Sequence, residues 1–339
     1  MLNGFFDFQN RLDYLSENGD VLPKLKSLIP WENFRSGLEI IHEKERKSTA
    51  GRKPFDVLLM FKISILQSLY NLSDDEMEYQ IMDRLSFMRF LGLDLDSRIP
   101  DAKTIWLFRE RLKSHNLQKT LFDQFNGYLS CSGFEARKGQ IVDATLVRVP
   151  TQRNTKEENA SIKANEPPVE NWNEAKRCQK DTDARWTKKR NQSYFGYKNH
   201  IEADVKHKFI RRYEVTDASV HDSNVFESLL DPSNTSRDVY ADSAYRSEEH
   251  ENNLKDHGYR PHLQRKGCRN RQLTEWEKQG NRTRAKVRSR VEHIFGAMRQ
   301  RAGDVILRTV GFARAKVKLG LRNLAYNMDR FCILKTKTP

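Results

Sequence analysis

The chain has 339 residues, 37% of them hydrophobic and 31% charged, and its formal net charge is +14. This length and composition allow a full core and two domains, and they exclude an intrinsically disordered chain. Residues 1–130 hold 18 Lys and Arg against 19 Asp and Glu, so the whole excess, a net charge of +15, lies in residues 131–339. A polyanionic partner explains this asymmetry better than solubility does, because counterion release drives basic surfaces onto nucleic acid.

The cysteines and the apolar stretches narrow the class further. Four cysteines lie far apart without a CxxC pair, which argues against a zinc site or a disulfide framework and fits a reducing cytosol: Cys131, Cys178, Cys268 and Cys332. Charged residues within the first fifteen positions predict that no signal peptide is present. Residues 55–72 are apolar but are interrupted by Asp56 and Lys62, so they predict a buried helix and no membrane partner.

Residues 1–130 carry helical patterns. Ser73 and Glu76 have the spacing of a capping box, in which each side chain accepts a hydrogen bond from the other residue's backbone. Asp101 can cap a helix with one apolar face, formed by Ile105, Phe108 and Leu112. We interpret this segment as an all-α domain for DNA-end binding or assembly, and favour that over a defined helix-turn-helix.

From Gly139 onward the pattern changes to short β-type runs. A polar stretch over about 151–192 predicts a long loop or insertion. Residues 194–204 and 209–216 read as a hairpin, and 238–242 as the next strand.

The remainder alternates helical and strand patterns. A helix is predicted over 247–257, a short strand over 260–263, and a basic helix from about Thr283 past Glu292. The last helix, residues 313–334, has an apolar stripe: Val317, Leu321, Leu324 and Met328.

Three acids stand out against these elements. Asp143 and Asp242 each follow an apolar run that predicts a buried strand, and Glu292 lies in the basic helix. A buried carboxylate needs a cation or hydrogen-bond donors. The order of strand with Asp, hairpin, strand with Asp and helix with Glu is typical of a ribonuclease-H-like mixed sheet with flanking helices. In that fold the first and fourth strands are neighbours, so the three acids would converge.

Such a carboxylate set suits divalent metal. Mg²⁺ and Mn²⁺ prefer carboxylate oxygens, and two ions roughly 3.5–4 Å apart catalyse in-line displacement at phosphate. Alternatives exist for each residue alone: an Asp at a strand end is more often a cap, and Glu292 could form a surface ion pair with Arg288. The combination of three favours the metal site.

The helix around Glu292 also carries candidate DNA ligands. At about 100° per residue, Arg288 and Arg299 share the face of Glu292 and could hold phosphates. Lys198 and His200 could contact DNA or be strand-edge residues. Trp186, among basic residues, could stack on a base or form a small satellite core. We interpret His293 as structural and His221 as a cap.

Four stretches carry a family resemblance: Val142-Asp143-Ala144-Thr145-Leu146 with Pro150, Tyr194-Phe195-Gly196-Tyr197-Lys198-Asn199-His200, Val239-Tyr240-Ala241-Asp242-Ser243-Ala244-Tyr245-Arg246, and Arg290-Val291-Glu292-His293-Ile294-Phe295. They resemble the DDE transposases of bacterial insertion sequences, in particular the insertion-sequence-five-like group. Residues 85–87 and 99–105 are similar to that group's helical leading domain.

The resemblance implies that Asp143, Asp242 and Glu292 form the metal-binding triad. Arg288 and Arg299 occupy the family's basic positions, four before and seven after the glutamate. The tyrosine that some relatives carry three residues before that arginine is replaced here by Ala285. Tyr245 and Arg246, just after Asp242, are candidates for a similar stacking or phosphate contact.

The sequence therefore predicts a helical domain over 1–130 and a ribonuclease-H-like catalytic domain over 131–339. The hypothesis is a transposase that binds the inverted repeats of its element and, with Mg²⁺ or Mn²⁺, cuts DNA and joins the 3′-hydroxyl to target DNA. It would work as a dimer or higher synaptic complex in the bacterial cytoplasm, at the nucleoid. The alternatives are a structure-specific nuclease or resolvase, and a non-catalytic DNA-binding derivative.

Overall fold

The computed structural model describes residues 7–42, 53–164, 172–189, 191–267 and 271–336. The chain forms two compact units: unit 1 comprises Met1–Phe125 and Gly320–Pro339, and unit 2 comprises Asn126–Leu319. The sequence placed the boundary at residue 130 and assigned the whole last helix to the second domain. By its contacts, the part of that helix from Gly320 onward groups with unit 1, where Phe331 packs edge-on against Phe125 at a ring-centroid distance of 6.1 Å.

All regular elements in the described part of unit 1 are helices, as the sequence predicted. Its helices are α1 (Asp7–Glu17), α2 (Leu22–Leu28), α3 (Arg35–Glu39), α4 (Val57–Tyr70), α5 (Asp74–Asp83), α6 (Leu85–Leu91), α7 (Ala102–Ser114) and α8 (Leu117–Cys131), which ends in unit 2. The predicted capping box is present, because Ser73 N donates to Glu76 Oε2 at 2.8 Å and Glu76 N to Ser73 Oγ at 3.1 Å. Asp101 caps α7 by accepting from Thr104 N at 2.7 Å.

The apolar stretch over residues 55–72 is the buried helix α4. Asp56 begins it by accepting hydrogen bonds from Leu58 N and Leu59 N, and most of its side chains lie in the core. Beside it, Arg109 is 7% exposed and pairs with Asp74 at 2.7 Å. Gln67 Oε1 accepts a further bond from Arg109 at 2.9 Å, so α4, α5 and α7 are tied by one buried polar network. No helix among the described residues is both long and apolar enough to cross a membrane.

Unit 2 is built on a mixed six-stranded sheet. Its strands are β1 (Gln140–Arg148), β2 (Arg185–Lys189), β3 (Gln192–Asp204), β4 (Ile210–Asp217), β5 (Asp238–Ala241) and β6 (Arg260–Leu263). β1 lies between β3, its antiparallel neighbour, and β5, its parallel neighbour; β6 extends the sheet beyond β5. Both β2 and β4 pair antiparallel with the far edge of β3. Without β2, this is the strand order of a ribonuclease-H-like sheet.

The helices of unit 2 flank this sheet: α9 (Lys156–Lys163), α10 (Glu174–Gln179), α11 (Phe226–Leu229), α12 (Glu248–Asp256), α13 (Glu275–Ala302) and α14 (Phe312–Lys335), whose last residues lie in unit 1. Two predictions need correction. α13 begins eight residues before Thr283, at a capping box of Thr274 and Glu277. The polar stretch 151–192 is not one loop, because it contains α9, α10 and the edge strand β2; β2 is polar because it covers no core.

The two faces of β1 have different neighbours. Val142 is fully buried in an apolar cluster with Phe226, Val239 and Leu254. Side chains alternate along a strand, so Asp143 points to the opposite face. There α13 packs against β1 and β5 through Val291 and other buried residues. The sheet therefore presents Asp143 toward the helix that carries Glu292.

Candidate active site

Asp143 is a largely buried carboxylate in the middle of the sheet. Its side chain is 17% exposed, and its Oδ2 accepts a hydrogen bond from Arg288 Nη1 at 2.9 Å. Its Oδ1 accepts from the Ala144 N–H at 2.8 Å. Burial raises the pKa of Asp143 to about 6, and the charge of Asp242 acts in the same direction, against the lowering effects of the Ala144 bond and Arg288.

Asp242 lies at the same end of the sheet as Asp143. Ile141 of β1 is paired with Tyr240 of β5; Asp143 follows two residues later within β1, and Asp242 two residues later, directly after β5. Asp242 also caps the short 3₁₀ turn that follows β5, since its Oδ1 accepts from Ala244 N at 2.7 Å. The parallel pairing of β1 and β5 is therefore what brings the two aspartates together.

Glu292 is joined to this pair through Arg288. Glu292 is 64% exposed, and its Oε1 accepts from Arg288 Nη2 at 3.2 Å. One guanidinium thus bridges a buried aspartate of β1 and an exposed glutamate of α13. Asp143 and Glu292 are therefore joined through one positive charge, and the charge of Asp242 acts on Asp143 from the neighbouring strand.

The predicted carboxylate cage is not assembled in this arrangement. Among the residues that the structure describes, no three His, Cys, Asp or Glu side chains are grouped closely enough to hold a metal ion. The chemistry of the donors nevertheless fits a hard divalent cation, because Asp143 and Asp242 offer carboxylate oxygens and Asp143 is poorly solvated. Asp143, Asp242 and Glu292 are the residues that would hold it.

Lys198 and His200, two candidate DNA ligands, are engaged within unit 2. Lys198 Nζ donates to Val220 O at 2.6 Å and to Asp222 Oδ1 at 2.8 Å, and the side chain is 12% exposed. His200 is fully buried with Nε2 2.9 Å from Thr216 Oγ1, and burial lowers its pKa to about 4. A direct DNA contact by either residue does not fit this geometry, because both point into the sheet's covered face.

Tyr245 and Arg246, adjacent in sequence, have opposite environments. The Tyr245 ring is 1% exposed and packs on Phe226 at a centroid distance of 5.1 Å, which does not fit stacking on a base. Its hydroxyl has no hydrogen-bond partner in the described part of the chain. Burial raises its pKa, and so do the negative charges of Asp222, Asp143 and Asp242. Arg246 is on the surface and pairs with Glu251 at 2.6 Å.

The remaining candidates lie on the surface of unit 2. Arg299 forms a 2.7 Å ion pair with Asp304 in which both side chains are mostly exposed. His221 caps the following 3₁₀ turn, as interpreted from the sequence. Trp186 is half-exposed and packs on Phe195 at 5.2 Å. His293 is exposed on α13.

One positive residue near the acids was not placed there by sequence reasoning. The charge of Lys189, at the end of β2, lowers the pKa of Asp143. Its segment was interpreted as a loop, and the only signal was a basic run beside Trp186. A pairing of this run with the start of β3 would have been needed to bring Lys189 toward the site.

A ribonuclease-H-like sheet with one aspartate inside its central strand, a second directly after the neighbouring strand and a glutamate on a flanking helix is the arrangement of the DDE class of nucleic-acid enzymes. Residues 135–328, more than half of the chain, match the family described as "Transposase DDE domain". Residues 10–111 match a second family, described as "Transposase domain (DUF772)". The chain therefore belongs to the DDE transposases. It also resembles a solved piggyBac transposase synaptic complex with hairpin DNA, at 14% identity and a TM-score of 0.43, over 88% of this chain and 70% of that one.

Proposed function

We propose that this transposase binds the terminal inverted repeats of an insertion sequence and catalyses metal-dependent cleavage and strand transfer at the bacterial nucleoid. The observation that supports it is the bridging of Asp143 and Glu292 by Arg288, with Asp242, directly after the neighbouring strand, close enough for its charge to raise the pKa of Asp143. Divalent ions held by these three carboxylates would polarise the phosphodiester and stabilise the leaving oxygen of an in-line displacement. Each element end must be paired with another, so the active form is expected to be a dimer or a larger synaptic complex.

Arg288 has two roles in this proposal. Without substrate it compensates the charges of Asp143 and Glu292, which would otherwise repel each other across the site. When DNA arrives, the same guanidinium can turn to the phosphate flanking the scissile bond, because its planar fork suits phosphate as well as carboxylate. The carboxylates are then free to take cations.

The acids differ in how rigidly they are held. Asp143 and Asp242 accept backbone hydrogen bonds, so the strands and the following turn fix their positions. Glu292 is exposed, and α13 carries it beside them. Closure of the site therefore requires a movement of the Glu292 side chain, not a change of the sheet.

The test is a joining assay with end DNA, Mg²⁺ or Mn²⁺ and a plasmid target. Asp143→Asn, Asp242→Asn and Glu292→Gln should each reduce joining by at least about 1000-fold, the scale on which a group acting only in the transition state contributes. Glu275→Gln is the matched control, since Glu275 is an exposed glutamate of α13 paired with Lys278 at 2.7 Å. Joining that survives the three substitutions would refute the assignment.

The nuclease and DNA-binding alternatives have separate outcomes in the same assay. A structure-specific nuclease would cut branched DNA without joining it to the plasmid. A non-catalytic derivative would bind end DNA without metal-stimulated cleavage. Membership in the transposase family favours the joining reaction.

A further inference from the structure

A row of side chains along α13 leads away from the acids. Glu292, Arg288, Arg284, Gly280 and Trp276 are spaced by four residues each, which places them in one gently drifting line on the helix surface. At 1.5 Å per residue, Arg284 lies about 12 Å and Trp276 about 24 Å from Glu292 along the axis. The row joins the site to the other end of α13.

Arginines crowd around the middle of this row. Asn281 Oδ1 accepts from Arg265 N at 2.9 Å and from Arg284 Nη1 at 3.5 Å, so the two arginines are neighbours. Partial burial lowers the pKa of Arg284, and the positive charges of Arg265 and Arg246 lower it further, while the charge of Glu251 acts in the opposite direction. Within the described residues Arg284 forms no ion pair of its own.

The far end of the row is held in place by a buried acid. Glu277, 6% exposed, accepts from Arg265 Nη1 at 2.8 Å and from Arg271 Nη2 at 3.2 Å. Trp276 is 74% exposed, and the Arg265 guanidinium lies over its ring at 5.8 Å. Such an exposed indole contributes little to the core, and the part of its surface that Arg265 does not cover is open to a ligand.

Gly280, in the middle of the row, lies directly beside the guanidinium of Arg284. A Cβ at position 280 would lie 3.2 Å from Arg284 Nη1, so Gly280 leaves the space that this guanidinium occupies. Glycine inside a helix costs roughly 0.5–1 kcal/mol relative to alanine. The chain accepts that cost beside an arginine that forms no ion pair with any acid in the described part of the chain.

The charges of this cluster do not cancel. Four arginines (Arg246, Arg265, Arg271 and Arg284) face two acids, Glu251 and Glu277. Mutual repulsion at close range is relieved by an external anion. A DNA strand is an anion of this kind. Its phosphates can pair with the arginines, its bases can stack on the exposed indole, and it is long enough to run along the helix to the acids.

We propose that Arg246, Arg265, Arg271, Arg284 and Trp276, here called the α13 track, bind the backbone of the DNA strand that enters the active site. Arg284 contacts a phosphate a few nucleotides from the scissile one, and Trp276 stacks beyond it. The track rests on the proposed function, because it takes its substrate from there. Contacts of the α13 track with DNA far from the reacting phosphate would provide binding energy that positions the scissile phosphate in the active site.

The first test measures binding without chemistry. Anisotropy of a labelled element-end duplex is followed with EDTA present, as NaCl is raised from low to moderate concentration. Arg284→Gln should weaken binding and reduce the slope of log K against log salt by about 0.9, the effect of one lost phosphate contact. Arg284→Lys should restore most of the slope, because it keeps the charge.

Arg282→Gln is the matched control. Arg282 is exposed on the same helix but lies about 160° around it from Arg284. Its substitution should leave the slope unchanged. Equal slopes for Arg284→Gln and Arg282→Gln would overturn the track. Thermal midpoints equal to that of the unsubstituted protein exclude misfolding as the cause.

The second test maps the contact. One phosphate at a time along the strand is replaced by a neutral methylphosphonate, and binding is measured for the unsubstituted protein and for Arg284→Gln. At the phosphate that Arg284 contacts, the replacement should weaken binding by the unsubstituted protein but not binding by Arg284→Gln. That position should lie within about four nucleotides of the cleavage site, since 12 Å spans that many at 3.4 Å each. Sensitivity of Arg284→Gln at every position would overturn the contact.

The two proposals fail separately. If the protein binds with the predicted Arg284 dependence but never cleaves, the track stands and the catalytic assignment falls. If it cleaves and joins while Arg284→Gln behaves like Arg282→Gln, the catalytic assignment stands and the track falls.

Discussion

At the scale of single residues, burial decides how Asp143 behaves near neutral pH. Its carboxylate is held in the sheet with one arginine as partner, and burial raises its pKa from 3.8 to about 6. The ionised form is therefore less stable in the fold than in the unfolded chain. A site of this kind favours any cation that restores the lost solvation.

The sign of the pH dependence follows for Asp143→Asn. Because the folded pKa is above the unfolded one, the native carboxylate lowers stability progressively as pH rises from about 4 to 6, by up to about 3 kcal/mol. Asp143→Asn should therefore be more stable than the native protein at pH 8 and equal to it near pH 4. Urea unfolding without divalent ions measures this. A difference independent of pH would contradict the raised pKa.

Arg288 gives a second prediction at this scale. Its guanidinium occupies Asp143 and Glu292, so it competes with any divalent ion for the same oxygens. Arg288→Gln should show a larger rise of the thermal midpoint with Mg²⁺ than the native protein, while its DNA binding weakens. Arg282→Gln provides the control. A smaller Mg²⁺ effect in Arg288→Gln would contradict the competition.

Glu202 is a buried acid outside the site. It lies opposite Val142 in the register of β1 and β3, it is fully buried, and neither carboxylate oxygen has a hydrogen-bond partner among the described residues. Burial raises its pKa well above the ordinary value, and the charges of Asp231 and Asp204 add to this. Burial therefore favours the protonated form of this side chain in the folded protein.

Glu202→Gln should remove a penalty that grows with pH. The raised folded pKa means that stability is lost as pH rises above the ordinary value of 4.5. The variant should melt several degrees higher than the native protein at pH 8, since about 1 kcal/mol corresponds to roughly 2–4 °C in a chain of this size. Near pH 5 the two should agree. Glu214→Gln, 44% exposed on β4, should show no pH-dependent difference.

The position of some candidate site residues in the fold could be predicted from the sequence, and that of others could not. Asp143 and Asp242 follow apolar runs, and the strand order is enough to bring them together. The spacing of Arg288 and Glu292 shows their pairing on one helix. It does not show that Arg288 also reaches Asp143, 145 positions away in the chain. Lys198 was a candidate DNA ligand as a strand-edge residue and Tyr245 by analogy with the family's tyrosine. In the fold, Lys198 of β3 pairs with Asp222, and Tyr245, in the 3₁₀ turn after β5, is buried against Phe226.

At the scale of elements, local sequence patterns predicted the strands and helices that have a regular apolar periodicity, and they missed the edge strand that forms only by pairing with a distant segment. The hairpin of β3 and β4 and the strand β6 were predicted almost to the residue, because period-two patterns and turns are local. β2 was missed because an edge strand such as Arg185–Lys189 has no apolar side to reveal it. The early start of α13 was missed because Gly280 and polar residues hide the helical stripe.

The pairing of β1 with β3 at the Arg148 end of β1 depends on one glycine, Gly196. Gly196 has a φ of +151°, and a Cβ there would lie 2.2 Å from Val147 O. The strand pairs β1 on one side and β2 on the other at this residue. A side chain would push the backbones apart where the edge strand begins.

Gly196→Ala should therefore destabilise the protein by about 2 kcal/mol or more, because both the backbone conformation and the close approach exclude a methyl group. Denaturant unfolding gives the value. Gly296→Ala, on α13 with nothing within 4 Å of the added Cβ, should be neutral or slightly stabilising. A neutral Gly196→Ala would show that the two strands can separate there without cost.

At the scale of the whole molecule, the positive charge and the acids occupy the same part of the sequence. Residues 131–339 carry a net charge of +15 and contain the three acids and the basic helix α13. Residues 1–130 are close to neutral, so they add little attraction to phosphate. The charge therefore concentrates DNA where the chemistry is proposed and leaves selection of the sequence to other contacts.

This separation predicts strongly salt-dependent binding to DNA of unrelated sequence. If six or more phosphates are neutralised, affinity should fall by about 1000-fold or more between 50 and 200 mM salt. Titration of a random 30-base-pair duplex with EDTA present measures the slope without cleavage. Asp143→Asn should bind at least as tightly as the native protein, because it removes a negative charge beside the path of the strand. A shallow slope would mean that acidic side chains of the protein already neutralise its basic residues. DNA binding would then have to depend on uncharged contacts.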